Sequence, residues 1–476
     1  MNKKEIKKRL SDLGLKKGDF VLLHSSLISL GHVEGGPDAV IDAFLETLGS
    51  KGTLVVPTFG ALGILTDTLK NRPGAVKSCC NGATVAALGG SAEKLCHEHW
   101  KAETLHGKNT PYTRLAETGG YVCLLGVDQD RNTTLHSVEV LLELPYLKNH
   151  SGDFTDEKGK TRTGEWKYFP GPHRDFIGLD RFYRESGEMK IGHIGNAVVR
   201  LIKAKDLIDI GLELGKKSPD FALCDNPNCE DCVRQRAEIF EARIRNSERF
   251  TLVASLRLAG RYAAEAIDNL KAAGISLVEL DFINRKPIDT LKAENILTAV
   301  KEFADEGIDV SGMRLFHVPD SFAGMVSEPE VIKVVKRLII PLSESDAFTA
   351  GARKAGWKVD FFNQNQTALT AAARLNKLDG RMVFNPANFA GAGEKPFLKS
   401  YGAGRFIKKI CALDIVDGLF DGTPASLTCG NAEIKELVSI LRCHSFSGIF
   451  TLGGGSVFPG SLMDARRQFE NILDNI

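Results

Sequence analysis

The chain has 476 residues, 43% hydrophobic and 25% charged, and its 61 basic against 60 acidic side chains leave a formal charge of +1. That balance excludes a global field for nucleic acid or an anionic membrane, and the length favours two globular units. The longest uncharged run, residues 445–463, holds Gly, Ser and Pro459 where a membrane span needs about 20 mostly apolar residues.

The opening residues lack the apolar core and small-residue cleavage site of a secretory signal, and read as a charged amphipathic helix stopped by Gly14. Together with ten scattered cysteines, this predicts a cytoplasmic protein with reduced thiols or a metal site rather than a disulfide framework.

Apolar runs at 20–24, 52–58 and 121–127 are bounded by Gly or Asp, as buried strands are. Between the first two, residues 36–48 have helical spacing, with Val40, Ile41, Phe44, Leu45 and Leu48 on one face. Residues 148–175 are polar and predict an extended flap or hairpin, and the charged stretch 233–249 predicts a joining helix. From Phe250 the rhythm becomes regular, with strand candidates at 251–258, 276–282, 312–318, 337–343, 357–363, 380–385, 406–413 and 447–452. Periodicity does not separate a barrel from an open doubly wound sheet, but eight strand–helix units favour a (β/α)8 TIM-like barrel. The expected organisation is an α/β domain over 1–240 and the barrel over 241–476.

Two blocks carry chemistry. In Val21-Leu-Leu-His24-Ser25-Ser26-Leu27-Ile-Ser29-Leu30-Gly31-His-Val33, hydroxyls and glycines follow a strand and precede a helix. Such a connection presents backbone N–H groups to a carbonyl oxygen or phosphate; on composition alone the plainer reading is an ordinary turn with capping serines. In Asn132-Thr133-Thr134-Leu135-His136-Ser137-Val138-Glu139, Asn132 or Thr133 can cap a helix running to Pro145, and His136 and Glu139 share one face. A carboxylate beside an imidazole fixes its tautomer and raises its basicity, as a general base requires. An isolated surface or core His–Glu pair has the same spacing.

Together these blocks resemble the aminoglycoside 3-N-acetyltransferase family. The resemblance continues through Gly52-Thr-Leu-Val-Val-Pro57-Thr58-Phe59, Asn109-Thr-Pro111-Tyr112-Thr-Arg114-Leu115, Gly119-Gly120-Tyr-Val-Cys-Leu-Leu125-Gly126-Val127 and Ile191-Gly-His-Ile-Gly195-Asn196-Ala197, spanning about residues 3–223. It implies acetyl-CoA as donor and a primary amine as acceptor, often on an aminoglycoside or amino sugar. His136 would be the general base and Glu139 its orienting partner. His24, Ser25, Ser26, Leu30, Gly31 and Val33 would line the CoA site, whose N–H groups could hold an oxyanion. Lys77 and Ser78 stand where the family reads Arg-Ser-x-His-Pro-x-x-Ser, but Cys80 and Asn81 replace the His-Pro pair. Lys77 keeps a charge for a CoA phosphate, as a point charge rather than a fork. Acceptor identity, and with it an antibiotic-resistance role, does not follow from these blocks.

Cys224, Cys229 and Cys232 form C-x4-C-x2-C in a polar loop. Their thiolates could converge on a structural zinc ion, with His173, His193 or another cysteine as fourth ligand; unligated thiols are the plainer reading.

The second half is similar to the sugar-phosphate isomerase/epimerase superfamily with xylose isomerase-like barrels, on Gly274-Ile-Ser-Leu-Val-Glu279-Leu280, Gly430-Asn-Ala-Glu-Ile-Lys-Glu-Leu437 and Phe446-Ser-Gly448-Ile-Phe-Thr-Leu452. That resemblance implies a divalent metal at the C-terminal strand ends. Here the fifth strand ends Asn363-Gln364-Asn365, the sixth Asn385-Pro-Ala-Asn388 and the eighth Leu452-Gly453-Gly454, and Cys411 replaces a histidine on the seventh. The expectation is a non-catalytic barrel, with Glu279 and His317 as residual candidates.

The leading expectation is therefore an acetyl-CoA-dependent N-acetyltransferase acting on a small-molecule amine, without nucleic-acid or membrane partners and compatible with a homo-oligomer. Its rivals are a bifunctional protein with an active isomerase or epimerase barrel, and a CoA-responsive binding protein without turnover.

Overall fold

Buried on both faces, the apolar runs at 20–24, 52–58 and 121–127 become neighbouring parallel strands of one sheet. The computed structural model describes residues 1–171, 173–318, 325–344, 346–402 and 406–476, and divides into two units, Met1–Ile239 and Phe240–Ile476. The strands described in the first unit are β1 (Phe20–Ser25), β2 (Thr53–Pro57), β3 (Val76–Lys77), β4 (Val85–Gly89), β5 (Tyr121–Leu125), β6 (Lys148–Thr155), β7 (Thr161–Tyr168), β8 (Lys190–Ile194) and β9 (Ala197–Lys203). The main sheet has the order β3-β4-β2-β1-β5-β9-β8, with parallel pairing at its centre and antiparallel pairing at both edges.

Alternation assigns the faces. Val21 and Leu23 join Leu54, Val56, Cys123 and Leu125 in one core. Leu22 joins Val55, Val122 and Leu124 in the other. The helix Gly36–Leu48 covers the first core with Val40, Ile41, Phe44 and Leu48, each under 2% exposed. β6 and β7 pair antiparallel as a hairpin outside this sheet.

The helix bearing His136 differs from expectation at both ends. It spans Leu135–Leu141, and Asn132 Oδ1 accepts the Thr134 N–H at 3.2 Å, one residue ahead of the helix. It stops before Pro145 because Glu143 turns into the left-handed region at φ 53°, and the residue preceding a proline is itself driven out of the helical region.

In the second unit eight parallel strands close into a barrel in sequence order: Thr251–Ser255, Leu277–Leu280, Asp309–Arg314, Arg337–Pro341, Lys358–Phe362, Met382–Phe384, Ile410–Ile415 and Ile449–Leu452. Leu338, Ile340, Phe361, Phe384, Leu413 and Phe450 face outward into the large core shared with surrounding helices. Ile339, Phe362, Val383 and Ala412 form a separate, smaller apolar cluster. No described helix is long and apolar enough to cross a membrane.

Candidate active site

The i, i+3 spacing on the helix Leu135–Leu141 brings His136 Nδ1 to 2.5 Å from Glu139 Oε2. The nitrogen donates to the carboxylate, which leaves the Nε2 lone pair available to a proton. The other carboxylate oxygen, Glu139 Oε1, accepts the Tyr146 hydroxyl at 2.7 Å and Arg174 Nε at 2.6 Å. Glu139 is fully buried and Arg174 nearly so, so their pairing works in a medium where screening is weak.

Burial pushes the Glu139 carboxyl upward, but His136 and the Arg174 guanidinium outweigh it and hold it at about 2. Burial lowers His136 below the ordinary histidine value, and the Glu139 hydrogen bond only partly opposes that. The dyad at neutral pH is a carboxylate beside a neutral imidazole. That is the protonation state of a base awaiting a proton.

An aromatic wall encloses the imidazole. Phe169 stacks on it with ring centroids 3.5 Å apart and planes 9° apart, and Phe176 meets it edge-on at 4.9 Å. His106 lies 5.4 Å away and is also buried, its nitrogens without a hydrogen-bond partner among the described residues. Burial holds His106 well below its usual value, so it adds no charge. Sequence reasoning missed Tyr146, Phe169, Arg174 and His106. Arg174 lies 35 residues from Glu139, beyond the reach of any helical or strand period.

The residues expected to hold the donor fall into two groups. His24 and Ser25 end β1, and Ser26, Leu30, Gly31 and Val33 follow in the connection to the next helix. His24 Nε2 is buried without a described partner, and burial lowers the imidazole to about 3. Ser29 Oγ donates to the Gly126 carbonyl at 2.9 Å and lies 3.0 Å from Ser26 Oγ, tying this connection to the end of β5. Gly31 has φ 78°, a conformation that favours glycine. Lys77 and Ser78 lie elsewhere: Lys77 is exposed on the edge strand β3, with β4 and β2 between it and β1. Ser78 is buried, with its Oγ accepting the Val85 N–H at 2.9 Å and lying 3.2 Å from His99 Nδ1.

The cysteine loop gathers a fourth donor. One ligand atom each from His173, Cys224, Cys229 and Cys232 lies within 4.8 Å of the others, and His173 Nδ1 is 3.3 Å from both Cys229 Sγ and Cys232 Sγ. The Cys224 N–H points at Cys232 Sγ from 3.4 Å. Three thiols and one imidazole are a zinc-type donor set. Of the candidates for the fourth place, His173 is in this group and His193 is not.

In the barrel, Arg314 donates Nε to Glu279 at 2.6 Å and both terminal nitrogens to Asp414, at 2.7 and 2.9 Å. All three side chains are fully buried. Asn385 Nδ2 donates to the same Asp414 carboxylate at 2.9 Å. A Cβ on Gly455 would come within 2.4 Å of the Arg314 guanidinium, so the glycine loop after the eighth strand packs on this network. His317 is exposed, with Nδ1 3.2 Å from Asp289 Oδ2.

A sequence model of aminoglycoside 3-N-acetyltransferases matches residues 22–61 and 60–215, wholly within the first unit. Aminoglycoside N(3)-acetyltransferase IV of Salmonella sp is 32% identical over 234 residues, covering 45% of this chain and 87% of the relative. The chain belongs to the aminoglycoside 3-N-acetyltransferase family. It is accordingly an acyltransferase. A second member, aminoglycoside N(3)-acetyltransferase VII of Streptomyces paromomycinus, is 30% identical over 258 residues, covering 43% of this chain and 87% of its own length. Among solved structures, aminoglycoside acetyltransferase AAC(3)-IVa as apoenzyme is similar at 29% identity and a TM-score of 0.45, over 50% of this chain and 97% of that one.

Proposed function

We propose that the protein transfers an acetyl group from acetyl-CoA to a primary amine of an aminoglycoside or amino sugar, with His136 as general base. The observation that carries this reading is the buried relay in which Tyr146 and Arg174 hold Glu139, and Glu139 holds a neutral His136. His136 Nε2 takes a proton from the acceptor nitrogen as that nitrogen attacks the thioester carbonyl. The tetrahedral adduct then collapses to an amide and the CoA thiol leaves with a proton. Glu139 stabilises the imidazolium formed in between. His24, Ser25, Ser26, Leu30, Gly31 and Val33 line the donor, and Lys77 meets its phosphates, with the buried Ser78 next to it on the donor side holding the strand end in place.

The membership carries this activity for the segment 1–240, which we treat as the catalytic domain, leaving 241–476 as the second. We read the closed barrel as a (β/α)8 TIM-like barrel of the xylose isomerase-like superfamily that has lost catalysis. The Arg314 guanidinium supports this: it sits between two buried carboxylates, supplying the positive charge a divalent ion would bring. The cluster of His173, Cys224, Cys229 and Cys232 suits a structural zinc ion. The protein is taken to be cytoplasmic.

The test is mass spectrometry of products formed from acetyl-CoA and a panel of aminoglycosides, amino sugars and simple diamines, with His136→Ala protein alongside. An acetylated product lost in the variant supports the reading. Acetylation that persists undiminished in the variant removes His136 from its role, and no product from any amine removes the activity.

A further inference from the structure

One backbone step joins the cysteine cluster to the catalytic dyad. His173 brings the imidazole of the cluster, and the next residue, Arg174, brings the guanidinium that holds Glu139 at 2.6 Å. Arg174 also donates its terminal nitrogens to the carbonyls of His173 at 2.6 Å and Pro170 at 3.4 Å. The guanidinium is thus fixed to the backbone that carries His173.

The same backbone is held from the other side by the helix Glu230–Ser247, whose first turn contains Cys232. Asp231 Oδ2 accepts the His173 N–H at 3.2 Å, and Gln235 Nε2 donates to the Pro170 carbonyl at 2.7 Å. Gly171 has φ 74°, and a Cβ there would lie 2.3 Å from Asp231 Oδ1, so the two segments approach as closely as a glycine allows. These neutral and singly charged contacts are individually weak. His173 is exposed, where water competes for its contacts. A tetrahedral ion bound to His173 and three thiolates would close this junction with bonds that water does not replace, the thiol protons going to solvent.

We propose that zinc held by His173, Cys224, Cys229 and Cys232 is a positioning site for catalysis: it fixes the backbone from which Arg174 aims Glu139 at His136. This rests on reading His136 as the general base. Arg174 is a positioning residue, acting through Glu139. Small displacements of a catalytic group cost about 10²-fold in rate, and loss of an outer partner of a metal or catalytic ligand costs about 10- to 100-fold. The consequence is an acetyltransferase whose turnover depends on a thiolate metal that takes no part in the chemistry, and which thiol oxidation would switch off.

The experiment uses the full chain purified with zinc, under reductant. Elemental analysis should find about one zinc per chain, as a single tetrahedral site requires. Stripping with a chelator should lower kcat by about 10- to 100-fold, with KM for acetyl-CoA unchanged and circular dichroism retained, and zinc should restore it. Stripping should also move the His136 imidazole signals in the NMR spectrum. Arg174→Lys protein should bind zinc normally, show the reduced kcat from the outset, and lose little more on stripping. Protein without zinc, unmoved His136 signals, or an equal fold-loss in both proteins overturns the proposal. So does loss of the folded circular dichroism on stripping, which would make the ion a folding staple. Zinc that binds and moves the His136 signals while no amine is acetylated leaves the coupling standing and overturns the acetyl-transfer reading instead.

Discussion

Phe169 lies flat on His136, ring on ring at 3.5 Å with the planes 9° apart, and covers one face of the imidazole. Burial is the largest cause of the lowered His136 value. Phe169→Ala should admit water, reduce that cost and raise the value toward the ordinary 6.5. With His136 read as the general base, the neutral imidazole is the active form, so activity should be present above the midpoint and lost as pH falls through it. The pH profile of kcat/KM should therefore show its acid limb below 6.5 in the native protein and displaced upward in the variant. At pH values between the two midpoints the variant loses more activity than at high pH. An acid limb that stays put, or moves down, would mean that the ring does not set the desolvation. Removing the side chain should also cost about 3 kcal/mol of stability.

Glu139 serves two masters, and its replacement should show both. In Glu139→Gln the imidazole keeps a neutral neighbour but loses the charge that stabilises its protonated form, so kcat should fall by about 10²-fold or more. The same change leaves Arg174, 2% exposed, without its counter-ion. Breaking a buried pair from one side costs about 3–5 kcal/mol, so the melting temperature should drop as well. Tyr146→Phe removes one neutral donor to the charged Oε1 and should cost about 1.5–3 kcal/mol, with the ion pair to Arg174 kept. Thermal melts and steady-state kinetics on the two variants separate the charge from the hydrogen bond.

What was legible in the sequence and what was not divides along sequence distance. Each of the eight runs expected after residue 250 overlaps one barrel strand, because most strands buried on both sides are apolar segments; the third, Asp309–Arg314, begins in polar residues and so starts ahead of its expected run. His136 and Glu139 could be paired on paper because a helix makes i, i+3 neighbours. Arg174 and Phe169 could not, since they approach His136 and Glu139 from the chain that follows the β6–β7 hairpin, whose path no local period encodes. The spacing of Cys224, Cys229 and Cys232 suggested a convergent site, but the choice of His173 over His193 required the fold. In the barrel, Arg314 at the end of the third strand carries no motif of its own, and its pairing with Glu279 and Asp414, 35 and 100 residues away, appears only in the fold.

Lys77 is exposed on an edge strand, so its replacement should disturb little besides ligand binding. A charge-assisted contact to a phosphate is worth about 1.5–3 kcal/mol, and Lys77→Glu substitutes repulsion for it. KM for acetyl-CoA should rise by about tenfold or more, with kcat for the bound donor and the melting temperature nearly unchanged. A variant whose KM for acetyl-CoA matches the native protein would place the phosphates elsewhere.

Arg314 gives the sharpest test of how the barrel is held together. Its guanidinium donates to Glu279 Oε1 and to both oxygens of Asp414 at once, and none of the three side chains reaches solvent. Arg314→Met keeps most of the volume but leaves buried Asp414 without a cation and Glu279 with only the Arg337 guanidinium, 3.9 Å from its Oε2. At neutral pH this should destabilise the barrel by about 3–5 kcal/mol. Burial already pushes the Asp414 carboxyl up against the pull of Arg314, and without that cation it takes up a proton more readily still, so the variant's deficit should shrink as the pH is lowered. Adding Glu279→Gln and Asp414→Asn to Arg314→Met should recover much of the loss at neutral pH, because a neutral set needs no counter-ion. Because the chain has two units, a single unfolding midpoint is a poor reporter. Hydrogen exchange in the strands Leu277–Leu280 and Ile410–Ile415 reads the barrel directly. If exchange there is unchanged in Arg314→Met, the ion-pair network is not what stabilises the barrel interior.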